Sequence, residues 1–180
     1  MNRDSFHNGN WMAGMLAKLC VLGLTCLLIS VCAATPVQQM SIKELQITML
    51  VNYTHMAAQG LGGLLENKSP EEQTMLCRSF VKPIRFFDDQ SGYFYIYNMK
   101  GLNIAHATQP EKQDQDLIDY KDSKGNLLIQ GLIKAVENGG GFVDFWWDNP
   151  NTKQEEKKLG YAEPIPGTDF FIGSGIYLGE

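Results

Sequence analysis

The sequence predicts an α+β fold in which two helices precede an antiparallel sheet of five or six strands, with a short helix and a loop over one face. The first part of the chain has helical periodicity and clear cap residues, whereas the part after Arg85 has a period of two. Glycine, asparagine and proline separate its short apolar runs. A chain of 180 residues with 44% hydrophobic content suits one such domain.

The amino-terminal part is predicted to be a targeting segment outside that domain. Residues 19–34 form an uninterrupted apolar stretch, somewhat short for a membrane span of ~20 residues. We expect a signal peptide over 1–34, cleaved after Ala33 or Ala34. The alternative is an N-terminal membrane anchor, and either predicts a periplasmic or otherwise extracytoplasmic domain over 35–180, secreted or anchored.

Charge and cysteine content exclude two function classes. The net charge is −5, and the basic pair Lys157–Lys158 directly follows two glutamates, so a nucleic acid is not an expected partner. After cleavage, Cys77 would be the one cysteine left, which excludes a disulfide framework or a Cys-rich metal site. We expect Cys77 to be a buried core thiol.

The first predicted helix is long. No proline interrupts residues 37–66, and apolar residues from Met40 to Met56 recur at spacings of three to five. This pattern predicts one amphipathic helix within the leading region 35–67, with the helix itself ending near the glycines at 60–63.

The second helix is shorter and has stronger boundary signals. Ser69 is a suitable N-cap, Pro70 suits the first helical position, and two glutamates occupy the first turn. Pro83 ends the pattern, so the helix is predicted from Pro70 to Val81.

Five runs rich in aromatic and branched residues are predicted strands. Two hairpin-like connections, Asn98–Gly101 and Asp148–Glu156, indicate antiparallel neighbours. A short helix in LLIQGLIKAVENGGG and a polar loop over 108–126 separate the second and third runs. The runs are GYFYIYN, LNIAHA, GGFVDFWWD, KKLGYAEPI and DFFIGSGIYL.

Three of these segments, in order, resemble the extracytoplasmic single Cache sensor family, which has a PAS-like fold and a long leading helix. They are GYFYIYNMKGLNIAHA, GGGFVDFWWDNP and KKLGYAEPIPGTDFFIGSGIY. Ala107 replaces the family's usual proline after the second-strand histidine, and Phe170 replaces a usual tryptophan. Because the chain stops soon after Tyr177, the resemblance is to a stand-alone form.

The resemblance implies a sensor that binds a small molecule, often a short organic carboxylate, between the sheet and the helix and loop above it. It implies signal transduction through a membrane receptor or sensor kinase. We expect no cofactor and no catalysis, because the motifs in this sequence do not assemble into an active site. A homodimer through the long leading helix is a further possibility. Charge-assisted hydrogen bonds of about 1.5–3 kcal/mol each could hold such a carboxylate.

The predicted ligand contacts in the first strand region are Arg85, Tyr93 and Tyr95. Arg85 could clamp a carboxylate with two donors, or form a surface ion pair with Asp88 or Asp89. Tyr93 and Tyr95 place two hydroxyl groups on one face of a strand, where the alternative is aromatic core packing.

Further contacts are predicted in the second and third strands. His106 either contacts the ligand, as the resemblance implies, or is a structural strand histidine. Phe145 and Trp147 share a strand face, which we assign to the pocket against the alternative of core packing. Tyr97 is placed outside the site because it adjoins the turn.

Lys158 and Tyr161 are the contacts that the resemblance implies in the fourth strand. Their odd spacing puts them on opposite faces of a regular strand, so only one can reach the ligand unless a bulge intervenes. We favour Lys158, because a charged group in an apolar strand calls for a partner; the alternative is a solvated edge.

Two other functions were weighed. A haem or redox sensor would use His106 as an axial ligand, although no second metal ligand lies at a suitable spacing. A small exported hydrolase would need Ser174 as nucleophile, but the Gly-x-Ser-x-Gly spacing is not met.

Overall fold

The computed structural model describes residues 40–179. The predicted signal segment 1–34 lies outside the described residues. Within them the fold is the predicted α+β architecture, with three α-helices and a five-stranded antiparallel sheet. No helix in this part of the chain combines the length and apolar character that crossing a membrane requires.

The strands lie in the order β2-β1-β5-β4-β3, with every neighbouring pair antiparallel. Each of the five predicted runs overlaps one strand. In chain order the elements are α1 (Ile42–Leu65), α2 (Pro70–Val81), β1 (Tyr95–Asn98), β2 (Asn103–His106), a 3-10 helix (Pro110–Lys112), α3 (Leu128–Glu137), β3 (Gly141–Asp148), β4 (Glu155–Pro164) and β5 (Phe170–Tyr177).

Both long helices begin at a reciprocal capping box. The Ser41 hydroxyl accepts the Glu44 N–H, and the Glu44 carboxylate accepts the Ser41 N–H. Ser69 and Glu72 repeat the arrangement at α2, whose bounds are those predicted. Because these hydrogen bonds join residues within one helical turn, the local sequence is enough to predict where both helices begin.

The end of α1 differs from the prediction. The helix does not stop at the glycines of 60–63 but continues to Leu65. Leu61 and Leu65 are 0% and 1% exposed in the core against the sheet. Their burial outweighs the helix penalty of about 1 kcal/mol for each glycine.

The sheet separates two apolar cores. On one face α1 and α2 pack over a core that includes Cys77, Phe94 and Ile172. Cys77 is buried, as expected, and burial raises the pKa of its thiol to about 12. The other face is covered by α3 and carries aromatic side chains of β1 and β3.

A bulge in β2 decides which residues face α3. Ile96 pairs with Ala105 but Tyr97 pairs with Asn103, so Ile104 is an extra residue without a partner in β1. Ile104 packs in the α1–α2 core. Paired residues share a face, so Asn103 lies on the same side of the sheet as Tyr97.

Candidate functional site

A cavity of about 10 Å³ lies between the sheet and α3, enough for about one water molecule. Six of the eight predicted contacts line it, and Arg85 and Tyr161 do not. The lining residues are Tyr93, Tyr95, Tyr97, His106, Leu128, Ile129, Leu132, Phe145, Trp147 and Lys158.

Glycines in β4 and β5 let large side chains lie flat on the sheet beneath the cavity. A Cβ on Gly173 would fall 2.4 Å from a ring carbon of Tyr95, and one on Gly160 would fall 2.5 Å from Phe145. A Cβ on Gly175 would lie 2.7 Å from Cε of Lys158. The glycines therefore set the depth of the cavity.

Lys158 is fully buried, with 0% exposure. Its Nζ donates to the Tyr177 hydroxyl at 3.3 Å and lies 3.8 Å from the centre of the Tyr93 ring. The ion pairs formed among residues 40–179 do not include Lys158. Burial lowers the pKa of this ammonium well below its ordinary value.

His106 is buried beside Lys158 in neutral form. Its Nδ1 accepts the backbone N–H of Gln109 at 3.1 Å, which leaves the proton on Nε2. Burial, followed by the charges of Lys158, Lys112 and Arg85, lowers the pKa of His106 to about 3. The ring is thus a hydrogen-bond donor through Nε2.

The outer wall of the cavity is aromatic and cationic. The Nζ of Lys112 lies 5.0 Å from the Trp147 ring and 5.3 Å from the Tyr120 ring. Trp147 is 5% exposed, and its indole N–H has no hydrogen-bond acceptor among the described side chains and backbone. This wall holds an unused donor beside the cavity.

Arg85 is a backbone clamp in this structure. Its guanidinium donates to the carbonyls of Ile84 at 2.6 Å and Ala107 at 2.7 Å, joining the segment before β1 to the end of β2. No ion pair with Asp88 or Asp89 forms among the described residues. Arg85 contributes positive charge near His106 but does not line the cavity.

Tyr161 lies on the side of β4 that faces α1. Lys158 and Tyr161 therefore point to opposite faces of the sheet, as their odd spacing predicted. Its hydroxyl donates to Glu163, which also contacts Nδ1 of His55 at 2.9 Å. With no bulge within the β3–β4 or β4–β5 pairings, alternation along β4 fixes Lys158 toward the cavity and Tyr161 away from it.

The structure adds cavity residues that sequence reasoning missed. Tyr97 was wrongly set aside as too close to the turn; it lies two residues after Tyr95 in the regular strand β1 and therefore shares its cavity face. Tyr177 joins Tyr93 and Lys158 by hydrogen bonds of 3.3 Å each. The spacing of the apolar residues in α3 indicates which side of the helix is buried. It does not indicate which face of the sheet that side covers.

Two alternative functions find no support in this geometry. The hydroxyl of Ser174 is buried and donates to the carbonyl of Tyr93 at 2.6 Å, so it presents no nucleophile to a substrate. A haem is many times larger than the cavity beside His106. Among the described residues no group of three His, Cys, Asp or Glu side chains could hold a metal ion.

Comparisons with known proteins agree with the fold. A family model described as the Cache domain matches residues 38–180. A methyl-accepting chemotaxis protein from Vibrio parahaemolyticus has a TM-score of 0.66 at 31% identity over 76% of this chain and 90% of that chain. A Cache chemosensory domain solved to explain carboxylic acid recognition has a TM-score of 0.64 at 23% identity, over 78% of this chain and 100% of that chain.

Among curated relatives, the sensor histidine kinase MctS of Rhizobium johnstonii is 24% identical over 131 residues, which are 73% of this chain. The match spans 28% of that kinase. The matched family, the antiparallel sheet with its long leading helix and the covered aromatic face lead to one conclusion. The chain belongs to the Cache domain family.

Proposed function

We propose that residues 35–180 form an extracytoplasmic sensor domain that binds a short organic carboxylate and signals through a membrane partner. The buried amine of Lys158, without an anionic partner among residues 40–179, carries this proposal. A buried ammonium costs several kcal/mol unless an anion pairs with it. A ligand carboxylate would supply that anion.

The rest of the site also favours an anion. The Nε2–H of His106 and the indole N–H of Trp147 are available as donors. The Tyr93 hydroxyl already pairs with Tyr177 at 3.3 Å, and the Tyr95 hydroxyl donates to the Ser174 carbonyl at 3.4 Å. The charges that act on His106 are cationic, while Asp148 acts on Tyr93. A carboxylate accepts bonds from the free donors, whereas an amine would place a second cation beside Lys158.

The size of the cavity favours a short ligand. Space for about one water is too small even for acetate, so the outer wall must move outward on binding, and further for a longer acid. The apolar side chains Leu128, Ile129 and Leu132 of α3 would cover the ligand's carbon chain. The related Cache domain described for carboxylic acid recognition shares this fold, which is consistent with the proposal.

A matched panel tests the proposal. Propionate, propionamide and propylamine have similar shapes but carry a negative, a neutral and a positive group. We expect propionate or another short carboxylate to raise the melting temperature, while its amide and amine do not. A response to the amine, or none to acids of two to five carbons, would contradict a carboxylate site.

The protein should take up protons when a carboxylate binds. The pKa of Lys158 is lowered by burial in the free site and rises when a carboxylate lies beside it. Between these two pKa values the free amine is neutral and the bound one charged, so affinity falls as pH rises through this window. Calorimetry in two buffers of different ionisation enthalpy measures the uptake. No uptake at any pH, or uptake that persists in Lys158→Met, would overturn this expectation.

A homodimer through α1 is proposed as the state that signals. Ile42, Leu45, Met49 and Met56 recur at heptad positions, and Ile42 and Met56 are 78% and 69% exposed. Such a stripe suits a helix pair formed with a second copy. The partner in the membrane is proposed to be a receptor or sensor kinase, since the relatives carry those names.

Charges placed on this stripe should break the dimer. We expect Ile42→Glu with Leu45→Glu to shift the sedimentation equilibrium toward monomer by at least about tenfold, because two charges would be buried at the helix contact. Leu64→Glu is the matched control, since Leu64 is 44% exposed on α1 but lies outside the heptad stripe. A monomeric wild-type protein, or equal loss in the control, would contradict the proposed contact.

A further inference from the structure

We infer, building on the proposed function, that the ligand carries a second, uncharged polar group and that Asn103 recognises it. The side chain of Asn103 is 0% exposed. Neither its oxygen nor its nitrogen has a hydrogen-bond partner among residues 40–179. Leaving buried polar atoms unpaired is costly, so such a side chain calls for a partner, and a bound ligand can supply one.

Asn103 is held in place on the cavity side. The bulge at Ile104 puts Asn103 opposite Tyr97, which lines the cavity. The two backbone groups of Asn103 are bonded to the segment that covers the sheet, at Gln115 and Asp114, at 2.9 Å each. With its backbone fixed on both sides, the amide is kept beside the Tyr97 hydroxyl, close to it but outside hydrogen-bond geometry.

The position of Asn103 beyond the lining of the cavity gives an approximate length for the expected ligand. Lys158 contacts Tyr93, whereas Asn103 lies beside Tyr97, and the backbones of these two tyrosines are four residues apart along one extended segment, about 13 Å. Subtracting a hydrogen bond of about 3 Å at each end leaves about 7 Å for the ligand. A chain of four or five carbons with polar groups at both ends spans this length.

The second group should be neutral. The amide of Asn103 both donates and accepts, so a hydroxyl or carboxamide suits it better than a second carboxylate. The cationic residues Lys158, Lys112 and Arg85 act on His106. At the Asn103 end, Asp114 is neutralised by an ion pair with Arg78 at 2.6 Å, so no excess positive charge calls for a second carboxylate there. The chemistry at this end therefore favours an ω-hydroxy acid over a dicarboxylate.

Calorimetry with matched acids tests this assignment. The pairs are butyrate with 4-hydroxybutyrate and pentanoate with 5-hydroxypentanoate. In the wild-type protein we expect one hydroxy acid to bind at least about tenfold more tightly than its parent. Asn103→Leu, similar in volume but apolar, should remove that preference and leave the parent acid's affinity within about threefold.

Thermal unfolding and a second variant separate recognition from folding. Because Asn103→Leu removes unpaired buried atoms, its melting temperature without ligand should not fall. If the variant does not fold, Tyr97→Phe at the same end of the cavity should reduce the preference instead.

Three results would overturn the inference. Hydroxy acids that bind no more tightly than their parents to the wild-type protein would exclude recognition at Asn103, while leaving the carboxylate site intact. Equal losses for both acids in Asn103→Leu, with a lower melting temperature, would show a purely structural asparagine. Binding of neither kind of acid would remove the proposed function together with this inference.

Discussion

Lys158→Met is expected to weaken carboxylate binding by about 10–100-fold while making the ligand-free protein more stable by about 1–4 kcal/mol. Methionine keeps the length of the stem that passes over Gly175 but removes the amine. Binding weakens because the ligand carboxylate loses the amine that pairs with it. Stability rises because the folded protein no longer buries an amine without an anionic partner. Calorimetry measures the first effect and denaturant unfolding the second.

Lys157→Met is the matched control for this change. Lys157 is the adjacent residue on the opposite face of β4, exposed and paired with Asp144 at 3.2 Å. Its replacement should leave the affinity unchanged and alter stability by less than about 1 kcal/mol. The stability gain of Lys158→Met should shrink as pH rises toward the ordinary lysine pKa, because the unfolded wild type then also loses its proton. A destabilised variant with wild-type affinity would contradict the assigned role.

Gly173→Ala is expected to destabilise the fold by about 1–3 kcal/mol and to abolish ligand binding. The new methyl carbon would lie 2.4–2.6 Å from atoms of the Tyr95 ring, which cannot sink further into the sheet. The ring must move into a cavity of about 10 Å³ and would fill it. Chemical denaturation and calorimetry check both parts.

Gly63→Ala is the control for this overpacking effect. Gly63 is an exposed residue of α1, and a Cβ there would meet nothing within 4 Å. Alanine should therefore stabilise the protein by up to about 1 kcal/mol through helix propensity alone. If Gly173→Ala and Gly63→Ala had the same stability and the same ligand affinity, the Tyr95 ring would not be in close contact with Gly173.

Local signals predicted most of the fold. The capping boxes at Ser41 and Ser69 act within one helical turn. Alternation of the tyrosines with Phe94 and Ile96 separates the two faces of a strand that is buried on both sides. The same alternation correctly separated Lys158 from Tyr161. These features depend on near neighbours in the chain, which sequence displays directly.

The errors come from contacts distant in sequence. Nothing local reveals that Ile104 is an unpaired residue, so Asn103 went unnoticed. Tyr97 is the exception, because its alternation with Tyr95 did place it on the cavity face and only its nearness to the turn led to its omission. Arg85 binds carbonyls that become adjacent only after folding. The segment 108–126 was expected to be a loop of unreadable path; its 3-10 helix and its bridges to β2 depend on pairing with the sheet.

A crystal structure with the tightest-binding short acid will show whether a carboxylate occupies the aromatic cavity and pairs with Lys158. We expect a carboxylate oxygen about 3 Å from Nζ of Lys158, beneath α3 and beside Trp147. A ligand found instead in the apolar hollow between α1 and Phe86, or at the surface with Lys158 still unpaired, would contradict it.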